Sequence, residues 1–362
     1  MTERLRCVVL GAGLMGRLLS HALAAAGHSV TLHEASGADG TGAAARVAAS
    51  MLAPLAESAI TEWPVVDMGQ YSLQRWPELI KQLPVPVYFQ QQGTLMLWHR
   101  QDGLQARMLL DKLHINSRQL PPDCAPQNLD NAALHRLEPE LSSKFRQGLF
   151  LPGEGQLDNR QLLDGLLQSL QQQQVDIHWH SPQQLQDVIA QCSGSNEWVF
   201  DCRGVGAAMD WSQLRGVRGE VIRLYAPEVH IQRPVRLVHP RYPLYIAPKP
   251  DHVYVIGATE IESDDKSEAS VRSTLELLSA AYSLHSGFAE ARILEINTQL
   301  RPALKNNLPE IRRLAPRCLQ INGLYRHGFL IAPAVLDAVL GLVQEDTSLA
   351  DRFTLVQANT HV

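Results

Sequence analysis

The sequence predicts an α/β fold: a parallel nucleotide-binding sheet with an antiparallel sheet inserted into it. Three observations carry that expectation. A short β-branched run at residues 7–10 leads at once into Gly11-Ala12-Gly13-Leu14-Met15-Gly16, then a helical stretch to Gly27, then a second strand at residues 30–32. Residues 198–202 form another strand-like run that ends in Gly204-Val205-Gly206, as a return to the first sheet would. Residues 219–224, 244–248 and 253–257 follow as strands with little helix between them, so they belong to a layer of different architecture.

Each element has its local reason. Residues 7–10 are apolar without alternation, as in a strand buried on both faces. Gly11 permits the tight turn, Gly13 lets backbone approach a pyrophosphate, and Gly16 allows close helix–strand packing. Leu14, Leu18, Leu19, Ala22 and Leu23 recur at helical spacing, and the N-terminus of that helix offers free N–H groups to phosphate. Glu34 ends the second strand, where a carboxylate accepts the hydroxyls of an adenosine ribose and repels a 2′-phosphate. The glycine-rich loop at residues 36–42 leads into the alanine-rich run 43–53, which reads equally well as a plain helix or as backbone kept bare for something large. Residues 57–83 read as one helix. Residues 87–89 and 94–97 read as a hairpin-like pair. Residues 101–113 are helical, Pro139 ends a helical turn after Leu137-Glu138, and residues 148–151 form a strand. Asp158 and Asn159 cap a helix running to about residue 171. Residues 175–180 alternate; the His178 and His180 pair within them has no third ligand nearby, so no metal is expected. A helix at 267–280, strands at 293–300 and 319–323, and an apolar helix at 329–343 complete the chain.

The bulk properties narrow the function class. The 362 residues suffice for one large or two intimate domains, and 45% hydrophobic with 19% charged residues is ordinary for a soluble globule. A net charge of −5 with no basic cluster argues against a nucleic-acid surface. Five scattered cysteines (Cys7, Cys124, Cys192, Cys202, Cys318) contain no CxxC pair, so reduced thiols and a cytoplasmic location are expected. Arg17 interrupts what would otherwise imitate a signal peptide. The stretch 329–343 contains Pro333 and Asp337 and is shorter than the roughly twenty residues a membrane span needs, so a buried helix is expected there.

Several further motifs resemble one family. They are Ala48-Ala49-Ser50-Met51-Leu52-Ala53-Pro54, Leu137-Glu138-Pro139, Val217-Arg218-Gly219-Glu220, Tyr245-Ile246-Ala247-Pro248, Gly257-Ala258-Thr259, Leu300-Arg301-Pro302, and Gly323-Leu324-Tyr325-Arg326-His327-Gly328-Phe329-Leu330-Ile331-Ala332-Pro333. Together with the glycine motif and Glu34, they resemble the FAD-dependent amine and amino-acid oxidases of the D-amino-acid oxidase class, most closely its glycine oxidase branch. The resemblance covers nearly the whole chain. It implies a Rossmann-like FAD-binding domain (1–85, 140–212 and 300–362) and an inserted antiparallel-sheet substrate domain (86–139 and 213–299).

The resemblance implies non-covalent FAD, held by Gly11, Gly13, Leu14, Met15, Gly16, Glu34, Ala35, Ala44, Ala45, Ala49, Ser50, Met51, Leu324, Tyr325, Arg326, His327, Gly328, Phe329 and Leu330. It implies catalytic roles for Tyr245, Arg301, Arg326 and His327, the two arginines lying at a substrate carboxylate. An arginine fork binds a carboxylate through two charge-assisted hydrogen bonds and would fix the substrate Cα–H for hydride transfer to flavin N5, giving an imine. The substrate would be a small amine or amino acid, and a homo-oligomer is suggested. The chain departs from the family pattern at Ser50, Leu324, His327 and Asp201-Cys202-Arg203-Gly204. Two alternatives stay open: an amine dehydrogenase with a non-oxygen acceptor, or an oxidoreductase acting on a modified RNA base; and a flavin-binding sensor or partner protein without turnover.

Overall fold

A computed structural model describes residues 4–192, 194–238 and 244–356. Residues 1–3 and 357–362, the outer limits of the expected nucleotide unit, lie outside them. The first sheet has six strands in the order Glu310–Ala315, Cys318–Asn322, Glu197–Asp201, Arg6–Leu10, Ser29–His33, Asp176–His178. All neighbours pair in parallel except Glu310–Ala315, which runs antiparallel to Cys318–Asn322. The helix Leu14–Ala25 joins the central strands and starts directly after Gly13. Gly11 takes φ +92°, and a Cβ there would meet the Cys202 carbonyl oxygen at 2.7 Å. A Cβ at Gly16 would collide with the Gly11 carbonyl. Both glycines are therefore required by the turn itself.

The second sheet has eight strands in the order Arg292–Ala303, Arg215–Tyr225, Val253–Gly257, Leu244–Lys249, Val235–Leu237, Thr94–Leu97, Gln147–Leu151, Gln127–Asp130. Its pairs are antiparallel apart from the parallel contact of Val235–Leu237 with Thr94–Leu97. The strand Gln147–Leu151, expected with the nucleotide unit, is in this sheet. A third, three-stranded sheet joins Met51–Leu52, Gly155–Leu157 and Phe89–Gln90.

The expected hairpin does not form. Phe89–Gln90 pairs with Gly155–Leu157, while Thr94–Leu97 lies between two other strands. Thr94–Leu97 is buried at every position, which a two-stranded ribbon could not achieve. The single helix expected over 57–83 is two: Pro54–Glu57 and Trp63–Lys81, the second starting with Pro64 in its first turn, where a missing N–H costs nothing. Asp158 caps the helix Asn159–Gln172 by accepting from the N–H groups of Arg160 and Gln161, both at 2.9 Å.

The last long helix, Gly328–Val343, packs in the core of the nucleotide-binding half. With the preceding turn it gives 19 residues, Tyr325–Val343, whose length and mean hydropathy of 1.5 are those of a membrane span, but 67% of the stretch is buried inside the protein. Each fully buried Leu, Ile or Val side chain there contributes roughly 1.5–3 kcal/mol. Its single acid, Asp337, accepts from Tyr71 and Arg75 at 2.8 and 2.9 Å. The Trp76 indole N–H donates to the Phe329 carbonyl at 2.8 Å and fixes the start of the helix.

Candidate functional site

One cleft, enclosing about 1700 Å³ partly open to solvent, runs between the two large sheets. The sequence brings small residues to its wall. Ala44–Val47 makes one helical turn and the chain then continues extended into Met51–Leu52, so the alanine-rich run is mostly not a helix. Gly42, Ala43, Ala44, Ala45, Ala48, Ala49 and Ser50 all face the cleft. Ser50 sits at φ +51°, and its hydroxyl donates to the Leu157 carbonyl at 2.6 Å. Behind this segment the buried Lys249 donates to the carbonyls of Leu157 and Ala49 at 2.7 and 2.8 Å and to Gln156 Oε1 at 3.1 Å. Burial pushes its pKa down to about 7, while three acceptors match the three donors of an ammonium group.

At one end of the cleft lie Gly11, Gly13, Leu14, Met15 and Glu34. A Cβ on Gly13 would meet nothing nearer than Ala43 Cβ at 3.8 Å, so protein packing does not demand glycine there; the bare backbone faces open space. Glu34 accepts from the Ala12 N–H at 2.6 Å and from the Ser36 N–H and hydroxyl at 2.8 Å. Nearby, Arg203 forms ion pairs with Asp201 at 2.8 Å and Asp210 at 2.5 Å, which accounts for the charged residues after that strand. A small-residue cradle, free helix N–H groups and a carboxylate at the end of the second strand fit a dinucleotide.

At the other end the strands of the antiparallel sheet deliver Arg236, Tyr245 and Arg301, and the turn Tyr325–His327 delivers Arg326 and His327. Arg301 is held by two carbonyls, its Nη1 donating to Arg218 at 3.3 Å and its Nη2 to Thr259 at 3.1 Å. It has no carboxylate partner among the described residues. Burial lowers its pKa. Gly219 makes room for it: a Cβ there would sit inside the guanidinium. Gly257 likewise clears the Tyr245 ring. Burial raises the Tyr245 pKa, so the phenol stays protonated at neutral pH.

Arg326 is differently placed. Its Nη1 donates to Glu260 at 2.8 Å and its Nε lies 3.4 Å from Glu57. Burial opposes its charge, but Glu57 and Glu260 outweigh that and raise its pKa. Glu57 pairs with Arg236 at 2.6 Å, and Arg326, Arg236 and His327 together overcome its burial and hold its carboxyl well below the usual range. His327 is buried, with Nδ1 3.5 Å from Glu57, and burial pushes its pKa down to about 4. Behind Arg236, Glu154 accepts from Thr94 and from the Ala56 N–H, and burial pushes its pKa up to about 7.

Of the residues singled out from the sequence, all line the cleft except Gly16, which serves the turn, and Ala35, which is exposed beside it. Glu57, Arg236 and Glu260 also line it and were not foreseen. The signal for Arg236, and for an acid such as Glu57 to face it, was an arginine inside the apolar strand Val235–Leu237, which requires a counter-charge. His178 lies away from the cleft, 3.0 Å from Asp176 and stacked on His33.

A parallel sheet whose strand ends and glycine loop open onto such a cleft, faced by an antiparallel sheet, defines a dinucleotide-dependent oxidoreductase. Residues 6–337 match the FAD dependent oxidoreductase (DAO) family, and the chain belongs to it. Its cofactor is FAD. It is 37% identical over 335 residues to a Rhizobium etli protein assigned as the thiamine biosynthesis oxidoreductase ThiO, covering 92% of this chain and 95% of that protein. The bifunctional protein ThiO/ThiG of Nostoc is 24% identical over 377 residues, covering 94% of this chain but 53% of the relative. Glycine oxidase from Geobacillus kaustophilus has the same fold, with a TM-score of 0.81, 21% identity and 100% of both chains covered.

Proposed function

We propose that the chain oxidises a small amino acid or related amine at the carbon bearing the nitrogen, with glycine-like substrates first. The observation that carries this reading is Arg301: a half-buried guanidinium in the cleft wall whose hydrogen-bond partners among the described residues are carbonyls. A substrate carboxylate would complete it through charge-assisted hydrogen bonds. Tyr245, protonated beside it, would donate to the same carboxylate and orient the α-carbon. The alanine-rich segment and the Tyr325–Leu330 stretch would flank the isoalloxazine ring, Gly13 the pyrophosphate, and Glu34 the adenosine ribose. FAD supplies the two-electron acceptor when bound; the protein supplies position and electrostatics. His327, neutral at physiological pH, adds no positive charge there and leaves the pair of Glu57 and Arg236 intact.

The assignment of the Rhizobium relative as a thiamine biosynthesis oxidoreductase supports an oxidoreductase role for this site. A cytoplasmic location suits five unpaired cysteines. The test is anaerobic mixing of the flavin-loaded protein with glycine, sarcosine, D-amino acids and N-methyl amines, followed by air. Bleaching by a carboxylate-bearing amine, and recovery with peroxide on aeration, is the expected result; bleaching only by amines that lack a carboxylate would overturn it.

A further inference from the structure

Among the described residues, the charges at the substrate end of the cleft do not balance, and the imbalance is one. Arg236 is matched by Glu57 at 2.6 Å. Arg326 is matched by Glu260 at 2.8 Å. His327 is buried in its neutral form. Arg301 is left over. Among the described residues, the end of the cleft therefore offers one positive charge without a carboxylate partner to whatever enters.

We infer that Glu260 sets that number and is a specificity-determining residue: by holding Arg326 it restricts the site to substrates with one carboxylate and turns away amino acids that carry a second. This rests on the reading that Arg301 receives the substrate carboxylate.

Both oxygens of Glu260 are committed. Oε2 accepts from Arg326 Nη1 at 2.8 Å, and Oε1 accepts from the Tyr325 hydroxyl at 2.7 Å. The backbone just before it is fixed. The Thr259 hydroxyl accepts from the Glu220 N–H at 2.9 Å and donates to Glu220 Oε2 at 3.1 Å, and the Thr259 carbonyl accepts from Arg301. Two consecutive residues thus reach the two arginines in different ways. Thr259 meets Arg301 with a neutral carbonyl and leaves its charge available, whereas Glu260 meets Arg326 with a full negative charge and cancels it.

Glu260 is also the more accessible of the two acids on Arg326: its side chain is 40% exposed, against 8% for Glu57. A second substrate carboxylate would have to displace Glu260 from both its donors or lie against it as a like charge. Either outcome is unfavourable, by like-charge repulsion or by the loss of two hydrogen bonds. Replacing Glu260 by an uncharged residue raises the net positive charge by one, leaves Arg326 to share Glu57 with Arg236, and frees its Nη1 for a second carboxylate.

The experiment uses the flavin-loaded protein and two unreactive anions, acetate and malonate, titrated while the flavin absorption spectrum is followed. No turnover is involved. In the wild type acetate gives a saturable spectral change and malonate binds at least tenfold more weakly. In Glu260→Gln the malonate-to-acetate affinity ratio rises at least tenfold, chiefly through tighter malonate binding. Glu260→Met, which removes the same charge with an apolar side chain, shifts the ratio in the same direction. Malonate binding to the wild type as tightly as acetate, or a ratio unchanged in flavin-loaded variants, overturns the inference. An acetate response absent from the wild type, or undiminished in Arg301→Gln, instead overturns the carboxylate role of Arg301.

Discussion

The two ends of the cleft are built in opposite ways. The glycine-loop end comes from one contiguous stretch: Gly11, Gly13, Leu14, Met15 and Glu34 lie within 24 residues, and their placement follows from a strand, a turn and a helix. The arginine end is gathered from Glu57, Arg236, Tyr245, Glu260, Arg301, Arg326 and His327, on a helical turn, three strands, the loop after a fourth strand and a late 3-10 turn. The first end has backbone groups and one acid; the second has charged side chains whose pairing decides what each can do. Local geometry can specify a phosphate site, but a carboxylate site needs long-range assembly.

The sharpest way to break this comparison is at Arg301. Arg301→Gln should lower kcat/KM for a carboxylate substrate by about 10²–10³-fold, the equivalent of about 2.7–4 kcal/mol for charge-assisted hydrogen bonds, while bound flavin per chain stays unchanged. Comparable flavin loss would show that the two ends are not separable. Glu57→Gln attacks the second end's stability instead: it leaves Arg236 buried without a full counter-charge, a loss of about 3–5 kcal/mol, read as a lowered thermal midpoint.

Acid should act at the same end. The ordinary pKa of His327, 6.5, falls to about 4 in the folded chain. Between those values the unfolded chain binds a proton that the folded chain does not. Its contribution to stability therefore declines as pH falls from about 6.5 toward 4, by up to about 3 kcal/mol. Denaturant titrations across that range should show a shallower decline in His327→Gln than in the wild type. The smallest effects separate two glycines at the first end. Gly11→Ala forces a side chain against Cys202 at positive φ and should cost the apoprotein about 1–3 kcal/mol. Gly13→Ala should leave apoprotein stability within about 0.5 kcal/mol yet weaken FAD retention, because its Cβ would intrude only on the ligand.

Much of this was legible in the residues. The nucleotide strands, their helix and the return strand Glu197–Asp201 follow from periodicity and glycine placement. Arg301, Arg326 and Tyr245 came from motif likeness. Their electrostatic inequality did not, because a guanidinium looks the same in sequence whether a carboxylate or a carbonyl faces it. Glu260 follows an ordinary strand, and Glu57 sits in an alanine-rich turn with no periodic mark. The missed pairing of Phe89–Gln90 has the same origin: its partner, Gly155–Leu157, lies nearly seventy residues away and carries no hairpin signature.

The cleft is walled on one side by the large buried cluster around the parallel sheet and on the other by a small buried cluster that includes Val47, Val221 and Ala258. A cofactor seated there acts as mortar, giving each half an apolar surface that the other half does not provide. By mass action, FAD at a hundred times its dissociation constant adds about 2.7 kcal/mol to the folded state. Stripping it should let the halves melt at separate temperatures, and refilling the seam should merge them into one transition.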